Sequence, residues 1–249
     1  MTFTPEIWHS LLGVAVLVAV AVAVLSLAGV GHRWSTAVAV GRGTVQLALI
    51  SVVLSGVITD PRWVGLALVV MFFVAATTST HRIGWTPYRF LVVTGAMAAG
   101  VGVVLTVVFL TGAIELSARY ALAIGGIIIG GAMSTATLAG RRLAQATEER
   151  WDEVEAWLAL GATPRQATVE IARFSIREAL IPATDQTKTT GLVPRPGACV
   201  GAFFGGGSPV DAGRFQIVVV GGIMAAGAVT ATIIAFSLSP TLYRPRDKA

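Results

Sequence analysis

Cysteine occurs once, at Cys199, lysine twice, at Lys188 and Lys248, and histidine three times, at His9, His32 and His81. A single thiol excludes an intrachain disulfide and any cysteine cage for a metal, and the scattered histidines give no metal-ligand spacing. Neither lysine follows a glycine, so the Gly-Lys-Ser/Thr corner that grips nucleotide phosphates is missing and the chain is not an ATPase by that route. No Gly-x-Ser-x-Gly elbow or His-Glu-x-x-His pair occurs either, which removes support for an intramembrane hydrolase. Charge is scarce: 12% of the 249 residues are charged and 55% are hydrophobic, with a mean hydropathy of +0.77. That balance lies outside the ordinary soluble class and marks an integral membrane protein. The net charge of +5 comes from basic residues beside apolar runs, a pattern of membrane orientation rather than of nucleic-acid binding.

What the chain has in quantity is apolar runs of membrane-crossing length, which needs about 20 residues. The expected spans are Leu11–Val30, Thr36–Ile58, Trp63–Thr78, Phe90–Thr111, Tyr120–Ala139, a broken sixth over Lys188–Gly205, and Phe215–Leu238. The expected fold class is therefore all-α, a polytopic membrane protein of about seven transmembrane helices forming one domain over residues 1–249. His32 and Arg33 follow the first run instead of preceding it, which argues against a cleaved signal and places the N-terminus outside. On this layout Arg33, Arg82, Arg89, the arginines from Arg141 to Arg177, Lys188, Arg244, Arg246 and Lys248 share the cytoplasmic side with the C-terminus, against Arg62, Arg119 and Arg214 outside.

Polar residues inside spans are functional candidates, because each must face protein or water. Arg42 and Gln46 interrupt the second run, although an arginine there can also snorkel to the cytoplasmic headgroups. Asp185 and Lys188 are three apart and can pair on one helical face, with Thr189 beside them. Pro194, Pro196 and Gly197 then break regular structure, so this stretch is expected to wall a transport pathway; a polar turn into an ordinary kinked span is the alternative. Gly125, Gly126, Gly130 and Gly131 mark a helix-packing face on the fifth span.

Between the fifth and sixth spans, residues 141–181 lose the long apolar runs. Trp151, Val154 and Leu158 fall three and four apart with acidic residues between them, an amphipathic helix expected to stop near Leu160. Gly161 suits the left-handed position past a helix end. Thr163 offers a cap, Pro164 a first helical position, and Gln166 completes a capping box for a second helix running towards Leu180. A cytoplasmic amphipathic hairpin follows, either lying on the bilayer surface or docking a partner.

Permease subunits of ABC transporters carry a cytoplasmic loop of the form Glu-Ala-Ala, three residues, Gly, nine residues, Ile. Glu155-Ala156, Gly161 and Ile171 keep that spacing, with Trp157 in place of the second Ala and no Leu-Pro soon after the Ile. Val40-Gly41-Arg42, Gln46-Leu47, Leu160-Gly161-Ala162-Thr163-Pro164, Ile181-Pro182, Asp185, Lys188-Thr189, Gly191-Leu192-Val193 and Pro196-Gly197 together make the chain resemble the FetB-type family of ABC permeases. The resemblance implies a multi-pass permease of the bacterial inner membrane exporting a metal ion, iron in bacterial members, while plant relatives are linked to aluminium tolerance. It implies a separate ATPase subunit holding ATP and Mg, so that this chain is expected to be no enzyme and to carry no cofactor; with about seven spans and no ATPase motif one chain is too little for a complete alternating-access pump, and a homodimer is expected. Glu155, Ala156, Gly161, Ala162, Thr163 and Pro164 would couple to that ATPase, and Arg42, Gln46, Asp185, Lys188 and Thr189 are the pathway candidates, with no metal ligand assigned. An anionic or sugar-nucleotide-like cargo, or ATP-independent secondary transport, are the rival functions.

Overall fold

The computed structural model describes residues 5–29, 33–57, 61–189 and 208–240. These form eight helices, numbered here in chain order, and no strand. The first compact unit ends at Thr59 and contains α1 (Pro5–Leu27) and α2 (Arg33–Val57), which pack on each other. The second begins at Asp60 and contains α3 (Pro61–Ile83), α4 (Pro87–Leu110), α5 (Ala118–Glu149), α6 (Trp151–Ala159), α7 (Pro164–Thr189) and α8 (Pro209–Leu238).

Helix starts follow from local chemistry. Pro5, Pro61, Pro87, Pro164 and Pro209 each open a helix, where the missing amide has no intrahelical partner to lose. Thr86, Ser117 and Ser208 have extended backbones and accept hydrogen bonds from the amides of Arg89, Tyr120 and Asp211, which caps α4, α5 and α8.

Four of these helices, α3, α4, α5 and α8, are long and apolar enough to cross a membrane. The apolar run in α1, Leu11–Leu27, is shorter. Four is fewer than the seven spans expected, and most of the broken sixth, with Cys199, Pro194, Pro196 and Gly197, lies outside the described residues.

In the second unit α5 is the axis, touching α3, α4, α6, α7 and α8. Small residues make this possible. A Cβ on Gly125 would lie 2.7 Å from Leu68, one on Gly140 2.5 Å from Ile83, and one on Gly131 3.3 Å from Ile223, so α3 and α8 pack directly against the α5 backbone. Gly100 does the same between α4 and α8, where a Cβ would sit 2.6 Å from the carbonyl oxygen of Ala226. Gly130, expected on the packing face, instead faces open space. Buried Ile124, Ile128, Met97, Val93 and Ile234 fill the centre. Two hydroxyls at the α3–α5 contact are satisfied without charge: Ser79 donates to the carbonyl of Met133 across it, and Thr137 donates to that same carbonyl from within α5.

Candidate functional site

The hairpin is built from three helices. α5 does not end where its apolar run ends: it continues past Gly140 to Glu149, because nothing between them breaks a helix, and the bend falls at Arg150. Arg150 turns back to Glu153 through two hydrogen bonds of 2.8 Å, and Asp152 and Glu153 occupy the first turn of α6, where carboxylates favour the helix dipole.

α6 ends in a Schellman motif. The Gly161 amide donates to the Leu158 carbonyl at 3.0 Å and the Ala162 amide to the Trp157 carbonyl at 3.0 Å, while Gly161 holds φ at +88°. The next helix starts at once: the Thr163 amide donates to Gln166 Oε1 at 2.9 Å and the Gln166 amide to Thr163 Oγ1 at 3.4 Å, the reciprocal capping box. Behind this tip, Val154 and Ile171 are fully buried with Leu143, Ala146, Ala167, Ala172 and Ala235, so Ile171 of the loop pattern is a core residue joining the hairpin to α5 and α8.

The tip itself is uncovered. Glu155, Ala156, Gly161 and Thr163 are exposed and Ala162 and Pro164 half-buried. Two large apolar side chains join them, Trp157 at 51% and Leu160 at 81% exposure. Neither belongs to the buried cluster behind the tip.

The pathway candidates fall in both units. Arg42 and Gln46 are exposed side chains one turn apart on α2. Asp185 and Lys188 are exposed on α7 and paired at 3.3 Å; the side chain of Thr189 lies outside the described residues. α7 does not stop near Leu180 but runs unbroken through Pro182 to Thr189, past the hairpin boundary expected at Ile181. Its last third returns beside the membrane part of α5: Leu180 and Thr135 both approach Gly227 of α8, and Thr184 Oγ1 lies 4.0 Å from Met224 Sδ. Asp185 and Lys188 therefore stand beside the charge-free stretch Tyr120–Gly140 of α5.

Between α5, α7 and α8 a half-open groove of about 270 Å³ is lined on one side by Gly130, Ser134 and Thr135 and on the other by Pro182, Ala183 and Gln186. The sequence gives little sign of it, since the two walls are about fifty residues apart.

Residues 8–243 match the family described as uncharacterised protein family UPF0014. The chain belongs to the UPF0014 family. Among the family's curated proteins, rice STAR2, a UPF0014 membrane protein, is 32% identical over 91% of this chain and 80% of its own length. The probable iron export permease protein FetB of Escherichia coli is 32% identical over 84% of this chain and 82% of its own. The Arabidopsis protein ALUMINUM SENSITIVE 3 is 31% identical over 82% of this chain and 76% of its own. No solved structure matches the chain. The chain is thus of a membrane permease family whose relatives include a protein named a probable iron export permease, in agreement with the resemblance read from the sequence motifs.

Proposed function

We propose that this UPF0014 protein is the permease subunit of an ABC-type pump that exports a hard metal ion, iron first among the candidates, across a bacterial inner membrane. One chain supplies about seven spans with its N-terminus outside and C-terminus in the cytoplasm, and two copies join two ATPase subunits, since a single chain of this size is half an alternating-access pathway. ATP and Mg stay on the ATPase.

The observation that carries this reading is the hairpin tip. Its two helices are fixed by their own core, yet it leaves Trp157 and Leu160 in water beside the Glu155-Ala156 pair and a rigid Gly161 turn. An aromatic anchor ringed by polar groups on a rigid projection is what a protein partner buries at an interface centre. The name of the similar FetB protein supports metal export as the transport that such a partner drives. Co-expression with the P-loop ATPase of the same system, followed by affinity capture in lipid nanodiscs, tests the dock. Capture that persists in the Trp157→Ala/Leu160→Ala double variant would refute it.

A further inference from the structure

We propose that the α5–α7–α8 groove is a transit site for a hydrated hard cation, held through its water shell by neutral oxygen acceptors. The inference rests on the permease reading and places the cargo at a position that none of the charged pathway candidates occupies.

The groove has the right depth. All of its α5 residues fall within the charge-free Tyr120–Gly140 stretch, so it lies inside the membrane. Its volume of about 270 Å³ equals roughly nine waters at about 30 Å³ each, enough for an ion with a complete first shell. It is also held open by sequence: a Cβ on Gly130 would meet nothing within 4 Å, whereas Gly131, its neighbour, is pressed against Ile223.

The lining decides the kind of guest. Ser134 donates its proton to the carbonyl of Gly130 at 3.1 Å, so its oxygen has only lone pairs left to offer. Pro182 has no amide, and the carbonyl of Glu178, which points along α7 towards it, loses its regular helical donor. Thr135, 4% exposed, adds a second hydroxyl to the same wall. Among the described residues no charged side chain lines the groove. Fixed positive charge, which would favour an anion, is missing from the described lining, and Gln186 brings an amide oxygen as well as its N–H donors. A hydrated cation presents outward-pointing water protons to the oxygens of Ser134, Thr135 and Gln186, and hard cations keep oxygen ligands and part with water reluctantly. Among the described residues no three His, Cys, Asp or Glu side chains gather, so a dehydrating cage is not built there. Neutral acceptors hold an ion weakly, as transit requires.

The test uses two readouts. In a Cys199→Ala background, Ser134→Cys in nanodiscs is treated with cationic and anionic thiosulfonates of similar size, with and without millimolar Mn²⁺. The proposal expects faster modification by the cationic reagent and at least a threefold slowing by Mn²⁺. Equal or anionic preference, no modification, or no protection would overturn it. In proteoliposomes with the ATPase partner, Gly130→Leu fills the groove and is expected to lower ATP-driven Mn²⁺ or Fe²⁺ flux at least tenfold. The matched Gly102→Leu, on an exposed open face of α4, should leave flux unchanged. Full flux in Gly130→Leu would refute the site while leaving the pump intact. Absence of metal flux in the wild type, with Mn²⁺ protection of Ser134→Cys retained, would refute the pump reading and keep the cation site.

Discussion

Gly161 carries the sharpest single-residue expectation. A Cβ there would meet no neighbour, so any penalty comes from φ = +88° alone. A non-glycine residue in the left-handed region costs about 1–2 kcal/mol, and a β-branched one is disfavoured further. Gly161→Val is therefore expected to insert normally but to distort the hairpin tip and lose ATPase capture, whereas Gly161→Asn, which tolerates this region, keeps most of it. Equal capture by the two variants would show that the turn's conformation is irrelevant to docking. Thr163→Ala removes the capping box and should cost about 1 kcal/mol, measurable as a lower melting temperature in detergent. Both positions were legible in advance, because Gly and Thr-Pro-x-Gln have one good use each in this order. Thr135 was not: a hydroxyl on an apolar helix looks like any other until a helix from far along the chain brings Pro182 opposite it.

At the scale of elements, close backbone approach is the feature to challenge. A Cβ at Gly100 would stand 2.6 Å from a backbone oxygen of α8, and backbone cannot swing aside as a side chain can. Gly100→Leu should therefore abolish a stable, monodisperse protein. Gly102→Leu, two residues away and open, should not, and comparable elution profiles for the pair would contradict the α4–α8 packing. The exposed Trp157 and Leu160 lead to the opposite expectation: their double alanine variant should melt as the wild type does yet bind the ATPase at least about 30-fold more weakly, the equivalent of roughly 2 kcal/mol at an interface hot spot. Element boundaries were only partly readable. Thr163 and Pro164 marked the start of α7, whereas α4 begins at Pro87, three residues before the expected Phe90, and the amphipathic pattern after Arg141 concealed that α5 simply continues to Glu149. The second hairpin helix was expected to run only towards Leu180, yet α7 passes on through Pro182, packed by Ala179 against the central core. Packing outweighs one lost helical hydrogen bond.

For the whole molecule, the sequence displayed its membrane character through composition, while the groove and the depth of Asp185 depend on how distant helices return to α5. The proposed orientation predicts that Glu153→Cys, in a Cys199→Ala background, reacts with an impermeant maleimide only from the cytoplasmic side; reaction from outside alone would invert the topology. For the pathway, Asp185→Asn should reduce metal flux while Arg42→Gln leaves it nearly unchanged, and the reverse pattern would favour an anionic cargo. Above these stands one measurement. The permease and its ATPase partner are reconstituted into proteoliposomes, and Fe²⁺ movement is followed with and without ATP. The account predicts ATP-dependent transport from the ATPase-bearing side, lost when the hairpin tip is altered at Gly161→Val; gradient-driven iron flux by the permease alone, indifferent to ATP and to that substitution, would contradict it.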